Sequence, residues 1–399
     1  MAEGVATAHL SRPSTSIIGL NAANFFLAEV VGVVLPFLNA LLRERGWRYD
    51  TIGVATSTVG LGVFLFQTPA GMIVDRVRAR RLLLALASIV LGFCFGLIPI
   101  AATFRAVIFP LLFVAGLSQA FFQPLLGALA LALAEHDGMS RMMGQNQAWN
   151  HAGNIAAALG AMVLATTFGI ESIFLAILAA SLLAATSTQL IQQKRMVADA
   201  SAEARPASRG FVLRDRRAVL LLVSTALFHL ANAPVMPMVA LDIKRLHGTD
   251  AQVAAVVLIA QTVMVPVAYL AGRLGDRFGR KPVTLVGFAA LPVRIFLYSL
   301  TDKPAVLLAL QSLDGIGAGL YGVLVPSMCA DITEGKGRFN TLLGMVATAQ
   351  ALGGVLGPLG SGLVLQHLGF KAAFDTYALV ALLGAVLFFW KMPETRCPR

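Results

Sequence analysis

The sequence predicts an all-α integral membrane protein with twelve transmembrane helices. Three observations carry that prediction. Of 399 residues, 57% are hydrophobic and only 13% are charged, about half the charge of a typical soluble chain. The mean hydropathy is +0.78. The apolar residues are gathered into long runs rather than spread evenly. A hydrocarbon core about 30 Å thick is crossed by about 20 helical residues at about 1.5 Å each.

Taken in order, the runs cover residues 17–41, 52–74, 82–104, 107–134, 147–168, 172–191, 217–241, 252–273, 283–300, 304–330, 341–366 and 372–391. Each is long enough, or nearly so, to cross as a helix. None shows the alternation in roughly ten-residue segments expected of a membrane β-barrel. The first run is about 25 residues long, longer than a signal-peptide core. The longest polar interval, 192–216, divides the spans six and six. It gives the expected organisation: a helical bundle over 1–191, a linker over 192–216 and a second bundle over 217–399.

The net charge of +11 comes from 31 Lys and Arg against 20 Asp and Glu. In a soluble protein it would point to nucleic acid. Here the distribution decides otherwise. With the N-terminus cytoplasmic, 22 of the basic residues fall in inward loops or tails, 8 fall outside and Arg294 lies within a span. This ratio predicts a multi-pass inner-membrane protein with both termini in the cytoplasm. Arg43, Arg45 and Arg48 in the first outer loop dissent, partly offset by Glu44 and Asp50. Cys94, Cys329 and Cys397 have neither disulfide nor metal-ligand spacing. No phosphate-binding loop, zinc motif or nucleophile elbow is present, so the reading is not an enzyme, with no cofactor, no metal and no ATP drive.

The chain repeats a loop. After span 2 it carries Gly71, Asp75, Arg76, Arg78, Arg80 and Arg81. After span 8 it carries Gly272, Asp276, Arg277, Gly279, Arg280 and Lys281, offset by 201 residues. Glycine permits close helix approach, aspartate can accept hydrogen bonds from a neighbouring helix N-terminus, and arginine can pair with acids of the facing bundle. Such a loop would latch one state of a two-state device; the simpler reading is topogenic charge alone.

These loops resemble the signature G-x-x-x-D-R-x-G-R-K of the major facilitator superfamily. The second copy matches in full, and the first has Arg78 where glycine is expected. The resemblance extends over the whole chain through the six-plus-six pattern and central linker. It implies two pseudo-symmetric six-helix bundles, a central cavity lined by spans 1, 4, 7 and 10, and alternating access. The arginine that many members carry in span 4 is missing, and Gln119 and Gln123 occupy that helix. The Gly-Pro motif that drug antiporters often carry in span 5 is also missing. A similar run, Gly353 to Gly360, occurs in span 11.

A charge at mid-membrane costs about 2.5–3.5 kcal/mol on insertion scales, so it needs a reason to be there. Glu29 in span 1, His229 in span 7 and Asp314 in span 10 all lie near mid-span on helices the resemblance assigns to the cavity. A carboxyl group that alternates between poorly and well solvated surroundings can load and release a proton. These three are therefore the candidates for proton coupling. Polar residues at helical spacing are the substrate-binding candidates: Asn21 and Asn24; Gln119 and Gln123; Asn150, His151 and Asn154; Asn232; Gln311 and Tyr321. His151 is read as nearer the cytoplasmic end, and its stripe as cavity lining or interhelical glue. Arg294 in span 9 is expected either to snorkel outward or to pair with an acid across the bundle. The functional expectation is a monomeric secondary transporter of a small organic solute, coupled to protons, with export favoured over import. An uncoupled facilitator and a transporter-fold sensor are the rivals.

Overall fold

The computed structural model describes residues 15–133, 139–192, 214–333 and 339–395. These are helical throughout, and no strand occurs among them. The helices are α1 (Thr15–Glu44), α2 (Tyr49–Arg76), α3 (Arg80–Gly96), α4 (Ile98–Ala101), α5 (Arg105–Ala120), α6 (Phe122–Leu133), α7 (Met139–Phe168), α8 (Glu171–Ser187), α9 (Arg216–Asn232), α10 (Val235–Arg245), α11 (Asp250–Phe278), α12 (Arg280–Tyr298), α13 (Pro304–Leu310), α14 (Ser312–Thr333) and α15 (Phe339–Lys391). Each of the twelve apolar runs overlaps a helix. Among the described residues, nine helices meet a strict length and apolarity requirement for crossing a membrane. One of these spans the last two runs, because α15 is two helices joined at Gly369, where φ is +82°. The linker over 192–216 lies almost wholly outside the described residues.

Local chemistry sets the helix ends. Gly46 and Gly169 adopt positive φ just beyond α1 and α7, as glycine readily does past a helix C-terminus. Thr249 and Gln252 form a reciprocal capping box at the start of α11. The Asp215 side chain accepts from the Arg217 N–H at the start of α9. Pro304 opens α13 from the first turn, where its missing N–H costs nothing.

In three of the four spans assigned to the cavity the hydrogen-bond ladder lapses for a single turn, while the backbone stays in the right-handed helical region and each span continues as one. In span 4 the lapse is at Phe121, where Pro124 cannot donate to the Ala120 carbonyl. In span 7 it is at Ala233–Pro234, and in span 10 at Gln311. At the last of these no proline is involved; the Ser312 hydroxyl instead donates to the Ala309 carbonyl at 2.8 Å. Irregular turns in a membrane helix are tolerated where the freed groups find protein partners or line a cavity.

The helices before the linker pack chiefly against one another, as do those after it. The two halves meet along α2 with α15, α7 with α11, and α1 with α10. The chain reverses through 45–48, 97–104, 169–170, 246–249, 299–303 and 369 at one end, the distal end. The other end carries the first and last described residues, Thr15 and Thr395. Contact between the halves is tightest toward the distal end. There α2 and α15 approach so closely that a Cβ on Gly53 would lie 2.5 Å from the Pro358 carbonyl oxygen. A Cβ on Gly60 would lie 2.5 Å from the Gly354 oxygen. Glycine at both positions is what allows the helix backbones to meet.

Candidate functional site: a buried charge network in the second half

Arg294 organises the site. It is 1% exposed, enclosed by α9, α12 and the α13–α14 turn. Its Nη1 forms an ion pair with Asp314 Oδ1. Its Nη2 donates to Asn232 Oδ1 at 2.6 Å, and Nη1 also reaches Gln311 Oε1 at 3.4 Å. Gln311 Oε1 accepts from the Tyr298 hydroxyl, and its Nε2 donates to the Val256 carbonyl at 3.4 Å. Gln311 and Asp314, three residues apart on one helix face, thus meet the same guanidinium. Of the two alternatives for Arg294, the structure shows pairing within the bundle rather than snorkelling outward. Arg294 is compact in its connections: one charged partner and two neutral acceptors surround it. The Asp314 side chain retains 13% exposure, so the carboxylate is the less enclosed member of the pair.

A second cluster lies beside it. His229 meets Tyr321 and Phe228 edge-on, with ring centroids 5.0 and 5.4 Å away. Phe228 stacks on Tyr321 at 5.0 Å, and Gln350 Nε2 donates to the Tyr321 hydroxyl at 2.9 Å. His229 Nε2 is buried with no protein partner. The predicted stripe Gln311, Asp314 and Tyr321 therefore divides: the first two serve Arg294, and Tyr321 packs on His229.

In the first half the candidates are more scattered. Asn24 Nδ2 donates to the Leu20 carbonyl, and Asn21 Oδ1 is buried without a partner. Gln119 lies in the last turn of α5 and Gln123, which is exposed, in the first turn of α6. Asn154 Nδ2 donates to Asn150 Oδ1 at 3.3 Å. Although α7 itself begins earlier, at Met139, His151 lies near the start of the apolar span Ala148–Phe168. Its Nδ1 lies 3.4 Å from Gln261 Oε1 on α11, a polar contact between the two halves. The Glu29 side chain lies outside the described residues, although its backbone is helical.

The repeated loops need correction in detail. Neither Gly71 nor Gly272 sits at a close approach, since a Cβ on either would meet nothing within 4 Å. The N-terminus of α12 is capped by Glu394. Its Oε1 accepts from the Arg280 N–H at 2.9 Å and its Oε2 from the Lys281 N–H at 3.0 Å. Asp276 pairs with the Arg280 guanidinium at 3.0 Å, and Asp331 lies 3.5 Å from Arg280 Nε. These partners of Arg280 belong to its own half, not to the facing bundle. Gly279 has φ of +95° and a Cβ there would strike the Glu394 carboxylate, so this loop requires glycine. Arg78, at the equivalent place in the first copy, does not adopt positive φ, and the two turns are built differently. The Asp75 and Arg76 side chains lie outside the described residues.

The sequence profile of the Major Facilitator Superfamily matches residues 18–226 and again 219–397. The chain belongs to the major facilitator superfamily. An uncharacterised transporter of this superfamily from Mycobacterium tuberculosis is 35% identical over 389 residues, covering 94% of this chain and 93% of its own. A chloramphenicol resistance protein of Pseudomonas aeruginosa is 34% identical over 155 residues, 38% of this chain and 36% of its own. Among solved structures, a point mutant of the nucleoside transporter NupG superposes with a TM-score of 0.78 at 14% identity, covering 94% of this chain and 100% of the other. A D-xylose-proton symporter gives 0.76 at 14% identity, covering 96% and 98%. At that identity the structural likeness shows the fold. As a superfamily member the protein is a multi-pass membrane transporter and not an enzyme.

Sequence reading missed Tyr298, Gln261 and Gln350, although each is a polar residue within an apolar run and that signal was present. It also missed Glu394, whose role depends on the chain returning to α12 over more than a hundred residues.

Proposed function

We propose that the protein is a proton-coupled secondary transporter that exports a small organic solute by alternating access. It acts as a monomer in the inner membrane with both termini cytoplasmic, which makes the distal end external. The two bundles are the units over 1–191 and 217–399, joined by the 192–216 linker.

The observation that carries this reading is the pairing of Arg294 with Asp314 beside the irregular turn of span 10. The buried guanidinium is balanced by one carboxylate. When Asp314 takes a proton, Arg294 loses the one charged partner it has among the described residues and keeps the neutral oxygens of Asn232 and Gln311. Removing one member of a buried pair typically costs about 3–5 kcal/mol. A protonation event at Asp314 therefore changes the energy of this arrangement by enough to bias two conformations, which is the requirement for coupling. Asn232 ties the same guanidinium to α9, so the change reaches the helix that carries His229. Asn21, Asn150, Asn154, Gln123, His229 and Tyr321 supply neutral hydrogen-bonding and aromatic surface for the solute. Glu29 is a second coupling candidate on span 1.

The partial relatives that are resistance proteins support export. The test is a proteoliposome screen of candidate solutes with and without an imposed pH gradient. Accumulation against a concentration gradient only when the pH gradient is present supports the reading. Equilibration that ignores the pH gradient would make the protein an uncoupled facilitator.

A further inference from the structure

At the distal end one ammonium serves two carboxylates from different halves of the protein. Lys244 Nζ lies 2.7 Å from Glu44 Oε1 and 2.5 Å from Asp250 Oδ1. Glu44 is the last residue of α1, in the first half. Lys244 and Asp250 both belong to the second half, at the two sides of the short α10–α11 turn.

That turn is well fixed. Gly248 N–H donates to the Ile243 carbonyl at 2.8 Å, and the Thr249–Gln252 capping box closes the start of α11. The Lys244–Asp250 pair therefore moves as one unit with the second half. The Lys244–Glu44 pair must break whenever the halves part at this end. Neighbouring charges have other partners: Arg43 stacks on Tyr49, and Arg245 holds Asp242 and Asp302.

The two carboxylates consequently act in opposite senses. We infer that Glu44 and Asp250 compete for Lys244, Glu44 holding the distal end shut and Asp250 easing its release. With Asp250 present, Lys244 passes from two carboxylates to one on opening and is never left unpaired. Without Asp250 the ammonium depends on Glu44 alone, and opening leaves it bare. Glu44 is 42% exposed and the other two about half that, so the effect is that of a semi-exposed ion pair, roughly two- to fivefold on a population ratio.

This inference rests on the alternating-access reading, and the experiment separates the two. The full-length chain, with Cys94, Cys329 and Cys397 replaced by serine, carries spin labels at Phe104→Cys and Lys303→Cys. These exposed positions lie at the distal end on opposite halves. Electron-electron distance distributions are recorded in nanodiscs. Gly53→Leu, which wedges α2 from α15, raises the open population and provides a background in which changes of either sign can be read.

In that background, Glu44→Gln is expected to raise the open-to-closed ratio two- to fivefold, with Lys244→Gln giving the same direction. Asp250→Asn is expected to lower it by a similar factor. Asp250→Ser, which suits the helix start, guards against a folding defect in the first variant. If Asp250→Asn and Asp250→Ser both raise the ratio, or leave it unchanged, the competition is wrong while alternating access survives. One and the same distance in the parent, the Gly53→Leu background and every charge variant would instead overturn alternating access itself, and this inference with it.

Discussion

Arg294 illustrates how a residue that looks misplaced in sequence can organise a site. Here Asp314 and Gln311 from one stretch of chain and Asn232 from another converge on the two terminal nitrogens of the buried guanidinium, while its Nε has no hydrogen-bond partner among the described residues. Replacing only the arginine leaves Asp314 as an enclosed carboxylate without its cation. Arg294→Met is expected to destabilise the protein by about 3–5 kcal/mol, read as a fall in the thermal midpoint in detergent. Adding Asp314→Leu should recover most of that loss, because two apolar side chains need no compensation. A single variant as stable as the parent would show that the pair contributes nothing to folding. The individual polar residues were legible in sequence as costly exceptions in apolar runs. Their partners were not, since helical spacing gives the face of one helix and says nothing of which helix faces it. Hence Gln311, Asp314 and Tyr321 read as one stripe, yet they divide between two clusters.

Helix–helix contact is the next scale. The α2–α15 seam depends on glycine backbones meeting, with Gly53 against Pro358 and Gly362. Gly53→Leu should push the distal ends apart while the protein remains inserted, seen as faster labelling of a cysteine placed in the seam. Unchanged labelling would mean that the seam tolerates the added volume. The loop after α11 is a second element with a specific geometry. Asp276 and Asp331 both approach the Arg280 guanidinium, and Glu394 closes the start of α12. Asp276→Asn is expected to slow turnover severalfold without loss of inserted protein, and normal transport would reduce the loop to topogenic charge. The motif was readable as a repeat because both copies lie at similar places in the two halves. Its mechanics were less readable: the tail residue Glu394 caps α12, and a Cβ on either Gly71 or Gly272 would meet nothing within 4 Å. The irregularity in span 4 follows from Pro124 by simple stereochemistry, whereas at Gln311 the local signal is weaker: the Ser312 hydroxyl donating back to the Ala309 carbonyl.

At the scale of the whole molecule, composition carried most of the fold. Apolar runs of membrane-crossing length, separated by polar turns, leave little alternative to a helical membrane protein. What hydropathy cannot supply is how the halves meet. Glu44 and Lys244 are 200 residues apart, and His151 and Gln261 are 110 apart; such pairs follow from the docking of finished helices. The orientation proposed from loop charge is tested by reporters fused after Arg399 and inserted in the 192–216 linker. Both should read cytoplasmic, and an external signal at either would overturn the six-plus-six arrangement.

The central claim is that protonation of Asp314 links solute movement to the pH gradient. It is tested most directly by Asp314→Asn in proteoliposomes, measuring pH-driven uphill flux and solute exchange at equal concentrations on the same preparation. The amide retains an oxygen for Arg294 but cannot change its protonation as access switches sides. Uphill accumulation should therefore fall to background while exchange, which needs no net proton movement, persists. Glu29→Gln measured beside it shows whether span 1 shares the task. Full pH-driven accumulation by Asp314→Asn would contradict the account.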